Sequence, residues 1–338
     1  MSIQELEATV AALTAPGKGI LAADESLGTI EKRFRKINVP STEENRRSYR
    51  EMLFSTPGLG EFIGGVILFD ETIRQRGSDG TPIPQLLQAQ GIVPGIKVDK
   101  GTVPLPNFPD EVVTQGLDGL AERLAEYRSL GARFAKWRAV LRIGAGMPSR
   151  RCITENANAL ARYAAICQAQ GLVPIVEPEV LIDGDHSFAS AAQVTEDVLH
   201  QVFHALHEQR VMLELMLLKS SMVVPGADSG ESVSTEAVAS ATLACLRRAV
   251  PAAVPGIFFL SGGQGNEEAT THLNAINVQA GQAPWVLSFS YARALQAPAL
   301  DAWRGEAANR EAAQRVLHQR ARLNSLARQG RYSAALEQ

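Results

Sequence analysis

Val211-Met-Leu-Glu-Leu-Met-Leu-Leu-Lys-Ser-Ser-Met222 is a long apolar run in which one lysine, Lys219, stands near the end. Runs of this kind read as strands buried on both faces of a parallel sheet. A lysine closing such a strand has an apolar stem behind it and its amine aimed at whatever lies above. Burial disfavours the ammonium form, so an amine held there can act as a neutral nucleophile near neutral pH. That is the chemistry of Schiff-base formation with a ketone or aldehyde. A snorkelling lysine or a structural ion pair is the competing reading of Lys219 taken alone. The surrounding chain has to decide.

Outward from this run the pattern repeats. Apolar stretches at residues 19–26, 64–69, 93–100, 132–138, 172–179, 256–263 and 285–290 read as strands. Helix-like spacing fills the segments 1–13, 114–130, 153–170, 194–208, 235–250 and 267–279, with a further helical region carrying Leu317, Arg320, Leu323 and Leu326. The residues from Arg74 to Pro84 are a loop rich in Gly, Pro and Asp. Eight buried strands alternating with helices predict an α/β protein, a single (β/α)8 TIM barrel with additional N- and C-terminal helices and residues 1–338 as one domain. An open doubly wound sheet is the alternative. It lacks support, because neither Gly17-Lys18-Gly19 nor Gly262-Gly263-Gln264-Gly265 has the spacing of a nucleotide-binding loop.

Composition narrows the function classes. A net charge of -3 and the lack of any basic tract argue against nucleic acid as a partner. No apolar run approaches the length of a membrane span, and the first residues lack a signal-peptide core. Three cysteines, Cys152, Cys167 and Cys245, have neither metal nor redox spacing, which predicts a reducing, cytoplasmic setting. Of 33 basic residues only seven are lysines, so arginine supplies the general surface charge. A lysine in this chain is more apt to be needed as an amine.

In a barrel of this type functional groups gather at the C-terminal ends of the strands. Those ends carry Asp24, Ser26, Lys97, Lys136, Arg138, Glu177, Glu179, Lys219, Ser261 and Ser290. Alternation along a strand puts Lys136 and Arg138 on one face, and likewise Glu177 and Glu179. A separate signal concerns phosphate, which these barrels often bind with the loops after strands seven and eight. Here those loops read Ser261-Gly262-Gly263 and Ser290-Tyr291-Ala292-Arg293. Glycines admit backbone N–H groups to an oxyanion, and arginine adds a bidentate charge.

The same residues carry a resemblance. Leu21-Ala-Ala-Asp-Glu-Ser26, Gly95-Ile-Lys-Val-Asp-Lys-Gly101, Phe134-Ala-Lys-Trp-Arg138, Val173-Pro-Ile-Val-Glu-Pro-Glu179, Leu217-Leu-Lys219, Phe259-Leu-Ser-Gly-Gly-Gln264 and Arg293-Ala-Leu-Gln296 stand in the order found in class I fructose-1,6-bisphosphate aldolases. The chain resembles that family over nearly its whole length. The resemblance implies a glycolytic lyase that splits a sugar bisphosphate, a homotetramer, and a lysine imine with no metal or other cofactor. It places the imine on Lys219, imine proton transfer on Glu177, the C4 hydroxyl proton on Asp24 and a neighbouring cation on Lys136. Glu179 joins the catalytic group. Ser26, Lys97, Arg138, Ser261, Gly262, Ser290, Ala292 and Arg293 fall at substrate- or phosphate-binding positions.

Several positions depart from the family pattern. Leu215-Met216 replaces a small residue and threonine before the lysine, which puts local hydrogen bonding near Lys219 in question; Ala292 replaces glycine, and Asp70 a frequent histidine. The sequence ends at Gln338 without the longer tail closing in tyrosine, so the expectation is that another group protonates the enamine, slowly relative to bond cleavage, with Tyr332 uninvolved. Three rival readings remain at this stage. A one-phosphate Schiff-base aldolase or transaldolase would lack the second phosphate site near Ser26, Lys97 and Arg293. A zinc aldolase would use His200, His204 and His207, which instead read as one solvated face of an outer helix. A non-catalytic scaffold would be expected to have lost some of these groups.

Overall fold

A computed structural model describes residues 3–337. Eight parallel strands close a barrel: β1 (Gly19–Ala23), β2 (Ile63–Leu68), β3 (Val93–Lys97), β4 (Phe134–Leu141), β5 (Val173–Val180), β6 (Leu217–Ser220), β7 (Gly256–Phe259) and β8 (Val286–Tyr291). Each pairs with its neighbours in the chain, and β8 returns to β1. The helices that bear on the site are α1 (Ile3–Thr14), α2 (Leu27–Lys36), α3 (Glu43–Phe54), α4 (Asp70–Arg74), α5 (Ile83–Gln88), α6 (Leu120–Ser129), α7 (Arg150–Ala169), α8 (Phe188–Glu208), α9 (Thr235–Ala249), α10 (Asn266–Ala280), α11 (Arg293–Trp303) and α12 (Arg310–Arg328).

Two apolar layers follow from strand alternation. The inner layer fills the lower barrel with Ile20, Ile67, Phe134, Ile175, Leu217 and Phe258, and α1 closes it from below with Leu6, Val10 and Leu13. The outer layer lies between strands and helices and includes Trp137, Val176 and Leu218. Phe134 occupies space that only glycine leaves open: a Cβ on Gly95 would lie 2.2 Å from its ring. The C-terminal carbonyls of α1 are met by Arg328 of α12, which donates to Thr14 at 2.7 Å and also to Ala15 and Lys18. The floor of the barrel is thus tied to the closing helix.

Several boundaries differ from the sequence reading. The stretch 211–222 is not one strand; a 3-10 turn (Leu213–Leu215) precedes the four residues of β6. The segment 114–130 is not one helix, because Gly116 and Gly119 adopt φ of 124° and 63°, and α6 starts only after Gly119. Residues 102–104 and 112–114 form a short antiparallel hairpin that the sequence reading did not separate. Met1, Ser2 and Gln338, which the sequence reading included in its terminal segments, lie outside the described residues. No described helix is long and apolar enough to cross a membrane.

Candidate active site

The inner faces of the strands are apolar below and charged above. On β5 the inward series runs Val173, Ile175, Glu177, Glu179; on β4 it runs Phe134, Lys136, Arg138; on β6 it runs Leu217, Lys219. One residue beyond β1, Asp24 continues the series Ile20, Ala22. These upper groups border a cavity of about 1020 Å³ at the C-terminal end of the barrel. All the catalytic and phosphate-site residues expected from the sequence border it: Asp24, Ser26, Lys97, Lys136, Arg138, Glu177, Glu179 and Lys219, and from the last two strands Ser261, Gly262, Ser290, Ala292 and Arg293.

At the cavity floor two amines and two carboxylates meet. Lys219 Nζ is 2.8 Å from Glu177 Oε1. Lys136 Nζ is 2.7 Å from Asp24 Oδ2 and 3.1 Å from Glu177 Oε2. All four groups are nine-tenths or more buried. Burial alone would raise the Asp24 carboxyl, but Lys136, Lys219 and Lys97 outweigh it and hold the group well below the usual carboxylate range. Burial likewise opposes ionisation of Glu177, yet Lys136, Lys219 and Arg138 depress it. Burial would lower the Lys136 ammonium, and the charges of Asp24, Glu177 and Asp99 raise it well above its ordinary value. Lys136 is therefore a fixed cation, and Glu177 lends one oxygen to each amine.

Around this floor the rim charges are paired. Arg138 donates through Nε to Glu179 Oε2. Lys97 Nζ lies 2.6 Å from Asp99 Oδ1, and Asp99 Oδ2 accepts the Arg138 backbone N–H at 3.3 Å. The loops after β7 and β8 are different in kind. Gly262 and Gly263 take φ of 53° and 95°, and Arg293 donates to the carbonyls of Gly263 and, at 3.3 Å, Gln264. Among the described residues the Ser290 hydroxyl is buried without a partner. Donors gathered at the start of α11 with one hydroxyl left unpaired suit an oxyanion.

Some cavity residues escaped the sequence reading. Arg33 borders the cavity and pairs at 2.5 Å with Glu25, the neighbour of Asp24. Its signal was available in the helical spacing of Ser26, Thr29 and Arg33; the Ser26 and Thr29 hydroxyls are 3.1 Å apart. Tyr127, on α6, also borders the cavity and donates to Asp70 at 2.8 Å. The concern over Met216 is corrected. It is fully buried in the outer layer with Leu218, on the face of the chain opposite Leu217 and Lys219. Tyr332 lies beyond the end of α12, and its hydroxyl donates to Glu337 at 2.8 Å. His200 and His204 are exposed on α8 beside Glu196 and Glu208, and among the described residues no group of His, Cys, Asp and Glu is arranged to hold a metal.

Comparison with known proteins bears on the same chemistry. The family described as fructose-bisphosphate aldolase class-I matches residues 5–338. A protein of Xanthomonas campestris pv. campestris named probable fructose-bisphosphate aldolase class 1 is 55% identical over 333 residues, 98% of this chain and 99% of its own length. The fructose-bisphosphate aldolase of Dictyostelium discoideum is 55% identical, over 97% of this chain and 93% of its own. A solved structure of fructose-bisphosphate aldolase from Plasmodium falciparum, in complex with TRAP and a small molecule inhibitor, superposes with a TM-score of 0.96 at 53% identity. It covers 98% of this chain and 96% of that one. A closed (β/α)8 barrel, a paired lysine and glutamate at its floor and this degree of likeness lead to one conclusion: the chain belongs to the class I fructose-bisphosphate aldolase family, whose members are Schiff-base lyases.

Proposed function

We propose that Lys219 is the imine-forming residue and that Glu177, Lys136 and Asp24 divide the proton transfers. The observation that carries this is the 2.8 Å contact between Lys219 Nζ and Glu177 Oε1 while Lys136 holds the other oxygen. Fructose 1,6-bisphosphate enters with its C2 carbonyl over Lys219. Glu177 takes the proton that Lys219 must lose, and Nζ attacks C2. The proton that Nζ sheds on attack passes to the carbonyl oxygen, which becomes the carbinolamine hydroxyl. At this stage Nζ is neutral, so one of the charges depressing Glu177 is gone and its carboxyl keeps the proton taken from Lys219. It protonates the departing hydroxyl, water leaves, and an iminium forms. Asp24 accepts the C4 hydroxyl proton as the C3–C4 bond breaks. The bonding pair moves to C3, and the iminium nitrogen takes up the charge as an enamine forms. Glyceraldehyde 3-phosphate departs. Protonation at C3 and hydrolysis then release dihydroxyacetone phosphate and return the Lys219 amine. Lys136 stays charged throughout and keeps Asp24 and Glu177 ionised between steps.

Ser261, Gly262, Ser290, Ala292 and Arg293 hold one phosphate, and Ser26, Lys97 and Arg138 face the other end of the substrate. Glu179 orients Arg138. The chemistry asks no metal of the protein, since the iminium is the electron sink. The chain works as a single barrel domain, as a cytoplasmic homotetramer, a reading supported by the family likeness and the near-neutral charge. Assaying triose phosphate release with and without a chelator, on fructose 1,6-bisphosphate and on fructose 1-phosphate, tests the reading. Cleavage indifferent to chelator and favouring the bisphosphate is expected. Activity lost to chelator and restored by zinc, or equal use of both sugars, would contradict it.

A further inference from the structure

The loop Ser261–Gly262–Gly263 has little of its own to fix its shape. Its two glycines sit at positive φ, where peptide planes turn over easily. Besides the Arg293 bond to the Gly263 carbonyl, what holds it comes from below. Gln264, 3% exposed, donates to the Ser261 carbonyl twice, from its backbone N–H at 2.9 Å and from Nε2 at 3.0 Å. With Nε2 committed to that carbonyl, Oε1 faces His272 Nδ1 at 2.6 Å. An amide oxygen only accepts, so His272 donates from Nδ1. His272 is on α10, 6% exposed, and its burial favours the neutral ring. A chain of donors thus runs from His272 through Gln264 to the Ser261 carbonyl.

The carbonyl of Ser261 and the N–H of Gly262 belong to one planar trans peptide and point in opposite directions. Drawing the carbonyl down toward Gln264 turns the Gly262 N–H up toward the cavity that Gly262 borders. Were this plane reversed, a carbonyl oxygen would face the phosphate in place of a donor. We infer that Gln264 and His272 are positioning residues that lock the Ser261–Gly262 peptide in its anion-binding orientation, and so set the affinity for the phosphate group of the substrate. Neither side chain touches the substrate. This inference rests on the assignment of Ser261 and Gly262 to phosphate.

Steady-state kinetics of His272→Leu, His272→Asn and Gln264→Met, with inorganic phosphate as competitive inhibitor, tests it. An asparagine Nδ2 falls close to the place of histidine Nδ1, so His272→Asn retains a donor. Loss of one well-aligned donor to an anion corresponds to roughly a tenfold change. We expect His272→Leu and Gln264→Met to raise KM and the phosphate inhibition constant about tenfold, with kcat within about twofold of the parent. His272→Asn should restore both constants to within about twofold. Unchanged constants in Gln264→Met, a fall confined to kcat, or no rescue by His272→Asn would overturn the inference. Ser261→Ala separates the two levels. If it weakens phosphate binding while Gln264→Met does not, only the positioning role fails; if it leaves phosphate binding unchanged, the assignment of the loop fails and the inference falls with it.

Discussion

The two halves of the cavity are built on opposite terms. Along β1, β4, β5 and β6 every charge is answered from within: Lys136 by Asp24 and Glu177, Lys219 by Glu177, Arg138 by Glu179. Along the loops after β7 and β8 hydrogen-bonding capacity is left over, in a Ser290 hydroxyl unpartnered among the described residues and in an Arg293 held by backbone carbonyls. A closed ion network fixes where protons reside before substrate arrives. An open set of donors waits for charge to come from outside. The first half should therefore govern kcat and the second KM.

Glu177→Gln gives the widest margin for breaking that division. It keeps shape but removes the charge of the carboxylate whose Oε1 lies 2.8 Å from Lys219 Nζ. Imine formation should slow by about 10²–10⁴-fold, with substrate binding little altered; rapid mixing with single-turnover detection reads both. Near-parental imine formation would mean the proton moves by another route.

Lys136→Met sharpens the electrostatic side. Removing one partner of a buried ion pair costs about 3–5 kcal/mol, here by leaving Asp24 and Glu177 to face one another with less compensation. The sign with pH also changes. In the parent both carboxyls lie below their ordinary values of 3.8 and 4.5, so their contribution is present above that range and is lost as pH falls through the depressed values. In the variant burial prevails and lifts at least one carboxyl above its ordinary value, so stability should fall as pH rises toward neutrality. Urea midpoints measured from acid to neutral pH distinguish these slopes. A variant that tracks the parent at every pH would show that Lys136 does not hold the pair.

In the other half, Ser290→Ala should raise KM by a few-fold at roughly constant kcat, the scale of one lost hydroxyl contact. A change confined to kcat would place Ser290 with the ion network. Tyr332→Phe marks the small end of the range. Its hydroxyl is engaged by Glu337 and does not border the cavity, so trapping the enamine with a carbanion oxidant during turnover should give the same yield as in the parent. A large change would bring Tyr332 into the protonation step.

The barrel was legible because parallel strands buried on both faces read as apolar runs, and because polar ends at 24, 97, 136, 177 and 219 recur at the tops of those runs. Their limits were less so. A continuous run such as 211–222 has no period to show where a turn ends and pairing begins, and Met216 could be placed on a face only once β6 was known to start at Leu217. The charged groups were visible, but not which of them share an oxygen; that depends on strands more than forty residues apart in sequence, as for Lys136 and Glu177. Gln264 and His272 were hidden for another reason. They act on a carbonyl, and a sequence does not display the direction of a peptide plane.

The most direct test of the imine on Lys219 is a trap. Borohydride added to protein with dihydroxyacetone phosphate should inactivate it irreversibly and leave one reduced adduct, which peptide mass spectrometry should locate on Lys219. No adduct, or an adduct on Lys136 or another lysine, would contradict the assignment of the nucleophile.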